Sequence, residues 1–257
     1  MLVQLRQRLQ VRSTAMLATI EGGLDRLVIG WLLLAGLACA LRLATSPIPH
    51  GLVPPSSISP YLLLTVMPAA SMLLALRWFR DGDRLEQPAF RLARVGRWTA
   101  LSRTEARRHP LYGPSGVMVS LLVGMLLNVP VRALEFLAAS PALTEPVPGW
   151  LSTLHFLMSL DAVLLTSLYA VAFVAALRGV PLFPRLLVAV WCVDLAMQLV
   201  VADGVMASGR VPADVAAALQ GLLEGNIKKV LISAALWLPY LLLSRRVNVT
   251  YRHRVLA

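Results

Sequence analysis

Two aspartates stand deep inside otherwise apolar runs of this 257-residue chain, and they are the side chains best placed to do chemistry. Asp161 lies in GWLSTLHFLMSLDAVLLTSLYAVAFVAAL, and Asp194 in LLVAVWCVDLAMQLVVADGVM. A carboxylate at mid-bilayer costs on the order of 2.5–3.5 kcal/mol even on the lenient insertion scale, so each should face a partner or a wet cavity. On consecutive antiparallel helices, at ~1.5 Å rise per residue, both fall near mid-membrane, where they can meet. Like charges at close range force one to hold a proton, which would make a proton-coupled or cation site. The alternative is two hydrogen-bonded packing groups, Asp194 with Gln198 one turn away. Arg132 and Glu135 form a second candidate. Three residues apart on one helix face, they are expected to pair with each other near the outer boundary. His155 sits near the outer end of its run, without a second His or Cys at metal-ligand spacing. No phosphate-binding glycine loop, nucleophile motif or HExxH is present, so neither a metal nor a cofactor is expected.

The elements that must position these groups follow from composition. Hydrophobic residues make up 58% of the chain, charged residues 14%, and mean hydropathy is +0.71. A soluble domain is nearer half apolar and about a quarter charged. Here the excess falls in discrete blocks, which predicts an all-α polytopic bundle with six spans over residues 27–43, 59–78, 116–137, 150–177, 186–206 and 227–243. Residues 1–25 carry Leu2, Leu5, Leu9, Met16, Ile20 and Leu24 along one stripe, the pattern of an interfacial amphipathic helix. Residues 26–80 form a hairpin of two spans, 81–111 an Arg-rich cytoplasmic linker, and 112–252 a four-span unit. Within the linker, Leu85, Ala89, Leu92 and Val95 share a face, which predicts a second interfacial helix. Proline-rich stretches over 47–55 and 140–149 and a polar stretch over 207–225 read as loops. Cys39 and Cys192 both lie in apolar runs and read as packing residues.

Charge sets the orientation. Of 24 Lys and Arg residues, 19 fall on segments that share one side when both termini do. Nine of them lie between Arg77 and Arg108. The positive-inside bias places that side in the cytoplasm, N-in and C-in. A net charge of +11 would suggest nucleic acid in a soluble chain. Here the arginines cluster between apolar blocks without a nucleic-acid-reading motif, so no nucleic-acid partner is expected. The expected partners are anionic headgroups on the cytoplasmic side of the bilayer and a membrane-protein complex.

The C-terminal run carries Pro239-Tyr240, then Ser244-Arg245-Arg246-Val247, then Thr250-Tyr251. Upstream stand Tyr112-Gly113 with Gly116, and a basic turn with Phe183-Pro184-Arg185. In these residues, over roughly 112–251, the chain resembles the bacterial membrane family called domain of unknown function 2569. Val117 and Met118 stand where that family has Trp-Leu. The resemblance implies a four-span architecture and no settled activity, leaving the first two spans as an addition.

Three functions are compatible with these features in a bacterial inner-membrane protein. A non-catalytic subunit or scaffold of a membrane complex needs the fewest assumptions, because no catalytic motif is present. A small proton-coupled transporter would use Asp161 and Asp194, although their spans lack the interrupted helices common at transporter sites. A lipid-headgroup enzyme would use Arg132, Glu135 and His155. The orientation is directly testable: a reporter active only outside the cytoplasm, fused after Arg97, should stay silent, and activity there would reverse the topology.

Overall fold

A chain that passes repeatedly through hydrocarbon must satisfy its backbone N–H and C=O groups within each segment, so apolar runs of this length fold as α-helices. The computed structural model describes residues 2–46, 55–89, 96–140, 142–143 and 147–257. In chain order these form α1 (Leu2–Gly22), α2 (Leu24–Thr45), α3 (Pro55–Trp78), a 3-10 turn (Gly82–Arg84), β1 (Trp98–Ala100), α4 (Arg103–Arg108) and α5 (Val117–Ala139). There follow α6 (Gly149–Leu177), α7 (Phe183–Ala207), α8 (Ala213–Leu243), α9 (Arg245–Arg252) and β2 (Arg254–Leu256). Six of them, α2, α3, α5, α6, α7 and α8, are long and apolar enough to cross a membrane. This is the all-α multi-pass bundle that the composition predicts.

The bundle is built around α6, which packs against α3, α5 and α7. Ala172, Ala175 and Ala176 on α6 are completely buried, and such small side chains let neighbouring helices approach closely. Phe173 and Val174 between them, Leu122 of α5 and Leu187 of α7 are equally enclosed. Helix α2 packs on α3 and α5, α8 on α7, and α1 on the start of α5. Leu34 of α2 and Ile232 of α8 are 71% and 68% exposed, as expected of side chains that face lipid.

The last span departs from its predicted bounds. Residues 213–225, expected as part of a polar loop, continue α8 as helix. The segment is rich in Ala and Leu, starts after Pro212 and carries Asp214 in its first turn, all favourable at a helix start. Leu219 and Leu223 then pack on Val201 and Val205 of α7, which anchors the extension. The second interfacial helix fails in its described part. Residues 85–89 are non-helical, and 90–95 lie outside the described residues. Pro88 restricts Gln87 to extended backbone. The Gln87 Nε2 donates to the Tyr251 carbonyl at 3.2 Å, so the segment crosses the C-terminal tail instead.

Contacts between loops define two ends of the bundle. At one end β1 pairs antiparallel with β2, Gly116 N–H donates to Ser13 Oγ at 3.0 Å, and Arg107 pairs with Asp83. There Gly82 also abuts Arg178 so closely that a Cβ would lie 3.0 Å from the Arg178 carbonyl. At the other end Arg42 Nε donates to the Ser140 carbonyl at 3.2 Å, Ala142 N–H donates to Ser46 Oγ at 3.0 Å, and Gly149 meets Ser208. The second end lies opposite the first, which gathers the Arg-rich segments and is the Arg-rich end of the bundle.

The C-terminal tail is part of the fold at this end. Tyr251 of α9 is completely buried, its hydroxyl donates to the Ala176 carbonyl at 2.8 Å, and its ring lies 5.0 Å from Phe183. Asn248 Oδ1 accepts from Arg252 Nη1 at 3.0 Å and from Arg254 Nε at 2.8 Å. Burial, with Arg254 and Arg185 nearby, pushes Arg252 down to about 10. Tyr251→Ala should therefore cost about 3–5 kcal/mol, the range for removing a buried aromatic ring. Tyr251→Phe should cost about 1 kcal/mol for the lost hydrogen bond. Thermal unfolding in detergent reads both, and a silent Tyr251→Ala would mean that the tail does not hold the bundle.

Candidate functional site

The polar residues of the apolar spans converge on one guanidinium. Arg132 of α5 donates through Nη1 to Asp161 Oδ2 of α6 at 2.7 Å. Its Nη2 donates to both carboxylate oxygens of Asp194 of α7, at 2.7 and 2.8 Å. The side chains of Arg132 and Asp161 are 11% and 13% exposed, and that of Asp194 is 1% exposed. Sequence analysis places the two aspartates on facing helices. The structure brings them together through an arginine that the same reasoning assigned elsewhere.

The expected Arg132–Glu135 pair is not formed. Glu135 reaches across to Lys229 of α8, while Arg132 turns inward. The two residues share a helix face, but two carboxylates in a medium of low dielectric outweigh one at the wetter rim. Pairing at i and i+3 is worth only about 0.2–0.5 kcal/mol, so it yields readily.

A second layer of hydrogen bonds holds the carboxylates. Tyr169 hydroxyl donates to Asp194 Oδ2 at 3.3 Å. Gln198 Nε2 donates to Asp161 Oδ1 and to the Asp194 carbonyl, each at 3.3 Å. Asn226 Nδ2 of α8 in turn donates to Gln198 Oε1 at 3.3 Å. Four helices thus contribute to one network. Tyr169 and Asn226 were missed at the sequence level. Tyr169 stands eight residues after Asp161, two turns along α6, which is the signal that could have found it. Asn226 precedes the predicted start of its span and so looked like a loop residue.

The network lies on the wall of a cavity of ≈510 Å³ between α5, α6 and α8. Arg132 and Asp161 reach it, Asp194 does not, and Glu135 and Lys229 stand on its rim. Gly221 and Gly225 of α8 and Ala162 of α6 keep the opposing walls low. Ala138 and Ala139, at the C-terminal end of α5, carry the cavity towards the end opposite the Arg-rich one. On the other side the enclosed core around Phe173 and Leu122 lies between the network and the Arg-rich end.

His155 does not join this cavity. It is buried, with its ring 6.3 Å from Tyr61 and 5.9 Å from Phe136, and neither ring nitrogen has a hydrogen-bond partner. Among the described residues, no group of three or more His, Cys, Asp or Glu side chains is placed to hold a metal ion. His50 lies outside the described residues.

No model of a known protein family matches this chain, and no curated protein or solved structure gives a significant match. Function therefore rests on the site itself.

The residues singled out by their motif spacing gather at the Arg-rich end. Pro239 lies within α8, and Tyr240 sits edge-on to Trp237 at 5.9 Å. Ser244 joins α8 to α9, Arg245 is exposed, and Val247 is completely buried. Arg246 Nη1 donates to Ser115 Oγ at 2.6 Å and to the Gly113 carbonyl at 3.2 Å, while Gly113 N–H donates to Thr250 Oγ1 at 3.1 Å.

The network makes its members unequal. Arg132→Gln strands two carboxylates in the bundle and should cost about 3–5 kcal/mol, the range for breaking a buried pair from one side. Asp194→Asn loses the bidentate contact and should cost less, and Asp161→Asn, which leaves the Arg132–Asp194 pair intact, least. Thermal unfolding of the three purified variants tests this order. Equal losses would show that the guanidinium does not organise the cluster.

Proposed function

We propose that this chain is a multi-pass protein of the bacterial inner membrane, and that it is a small carrier coupling a proton or cation to solute movement through Asp161. One observation carries the reading: a surplus carboxylate lies beside a cavity that leads outwards. Asp194 neutralises Arg132 through its bidentate contact, away from the cavity. Asp161 shares the same guanidinium and is the negative charge left over. In a bilayer that charge must be matched, by a proton or by a cationic group arriving through the cavity. A proton and a cationic solute compete for the same carboxylate, and this competition is the elementary step of coupled transport.

The orientation of the proposal rests on the arginine bias, with the cavity outward and the Arg-rich end inward. The resemblance of residues 112–251 to a four-span family is also part of the proposal. Hydrogen bonds between its two ends, at Gly113 with Thr250 and Ser115 with Arg246, support treating that segment as one unit. The lipid-headgroup enzyme loses its histidine, because His155 is enclosed by Tyr61 and Phe136.

The test needs no prior substrate. Protein reconstituted in vesicles with an enclosed pH dye is challenged with a panel of small cationic and zwitterionic solutes. At least one solute should move protons with the wild type and none with Asp161→Asn. Equal proton movement by the variant would remove Asp161 from the mechanism and with it the carrier reading.

A further inference from the structure

A second cavity, of ≈540 Å³, lies at the cytoplasmic boundary, where α1, the start of α5 and the end of α8 converge. Arg12, Arg245 and Arg246 line it together with the hydroxyl-bearing Ser120, Ser244 and Tyr240, and among the described residues no acidic one does. Arg246 is fixed from behind by its bonds to Ser115 Oγ and to the Gly113 and Leu111 carbonyls. Arg12 and Arg245 are exposed, and neither forms an ion pair among the described residues. Three guanidinium groups around a cavity without a carboxylate make a strong anion site, since planar guanidinium donors match phosphate oxygens.

The lip of this cavity is apolar. Met16 is 52% exposed and Val117 is 59% exposed, and Leu243, next to Ser244, is 64% exposed. A free phosphate or nucleotide has no use for such a rim, whereas a lipid has a charged head and apolar tails that need both surfaces at this depth. The bond from Gly116 N–H to Ser13 Oγ seats α1 against α5, so the Arg12 wall is held opposite the Arg245 and Arg246 wall.

We propose that this cavity binds one anionic phospholipid of the cytoplasmic leaflet, its phosphate among Arg12, Arg245 and Arg246 and its acyl chains over Met16, Val117 and Leu243. The bound lipid bridges α1 to the junction of α8 and α9. This site is separate from the outer cavity and does not depend on the carrier reading.

Native mass spectrometry of the purified chain in mild detergent, with phosphatidylglycerol or phosphatidylcholine added, tests the site. The wild type should bind phosphatidylglycerol more tightly, by roughly thirtyfold, the scale expected of two basic residues at a membrane surface. The Arg12→Gln/Arg245→Gln double variant should lose that preference. Both side chains are exposed, so the fold should survive the change. Arg103→Gln/Arg108→Gln removes equal charge from the same face outside the cavity and should keep the preference. If the control loses as much as the double variant, only diffuse attraction to anionic lipid is present and the site is overturned. Complete displacement of phosphatidylglycerol by inorganic phosphate at matching concentration would equally overturn a lipid site, in favour of a free anion.

Discussion

One guanidinium decides how the centre of this bundle is arranged. Arg132 has to be neutralised inside an apolar assembly, and its guanidinium gathers carboxylates from two further helices around it. Its fork geometry accepts Asp161 on one nitrogen and both oxygens of Asp194 on the other, which fixes α5, α6 and α7 in rotation and in height. Apolar contacts between such helices tolerate sliding, because Leu against Leu is nearly as good as Leu against lipid. Charge-assisted bonds at 2.7 Å do not. The network therefore supplies register, while the small residues of α6 supply the close packing.

The same constraint explains which parts were legible in the sequence. Span number and helical class came through because 20-residue apolar blocks have few alternatives in a bilayer. Asp161 and Asp194 stood out because a carboxylate is expensive there. Arg132 did not stand out as their partner, since a local pair with Glu135 near the end of its span accounts for its charge. Long-range electrostatics overrode local spacing, and nothing in spacing alone reports which helix lies opposite. A charge balance over the spans would have helped, as two unpaired carboxylates call for a cation. The α8 extension was hidden for a different reason. Its two glycines and scattered polar residues suggest a loop, whereas its alanines and leucines favour helix and packing of Leu219 and Leu223 on α7 anchors it.

The arginines that orient the chain also serve in its closure. Arg246 draws the start of α5 to the tail through Ser115 and Gly113. Arg254 lies 4.7 Å over the Trp98 ring and shares Asn248 with Arg252. A tail that looked solvated from its charge is instead buried, because guanidinium stems cover apolar surface and the heads find carbonyl, amide and aromatic partners. Such a tail bridges loops that are far apart in sequence and adds a tie to the Arg-rich end beyond the loop contacts that both ends have.

This asymmetry bears on how the cavity beside Asp161 would work in the proposed carrier. Below the network, Leu122 and Phe173 are fully enclosed, and separating them would expose apolar area at about 25 cal/mol per Å² wherever water followed. Above it, α8 packs chiefly on α7 and meets α5 across the cavity through the exposed Lys229–Glu135 pair. An exposed ion pair is worth about 0–1 kcal/mol, so the outer rim is far cheaper to open than the inner core. Pro130 lies two residues before Arg132 and Pro239 lies in the inner part of α8; each removes a backbone hydrogen bond and marks where its helix bends most readily. A bend at Pro130 moves Arg132 with the outer half of α5, so motion of the rim and the strength of the Arg132–Asp161 contact are coupled. In the proposed carrier, a proton or a cation binding at Asp161 would loosen that contact from the other direction. The two events act on the same pair of atoms, which is the physical link a carrier requires between its ligand and its shape.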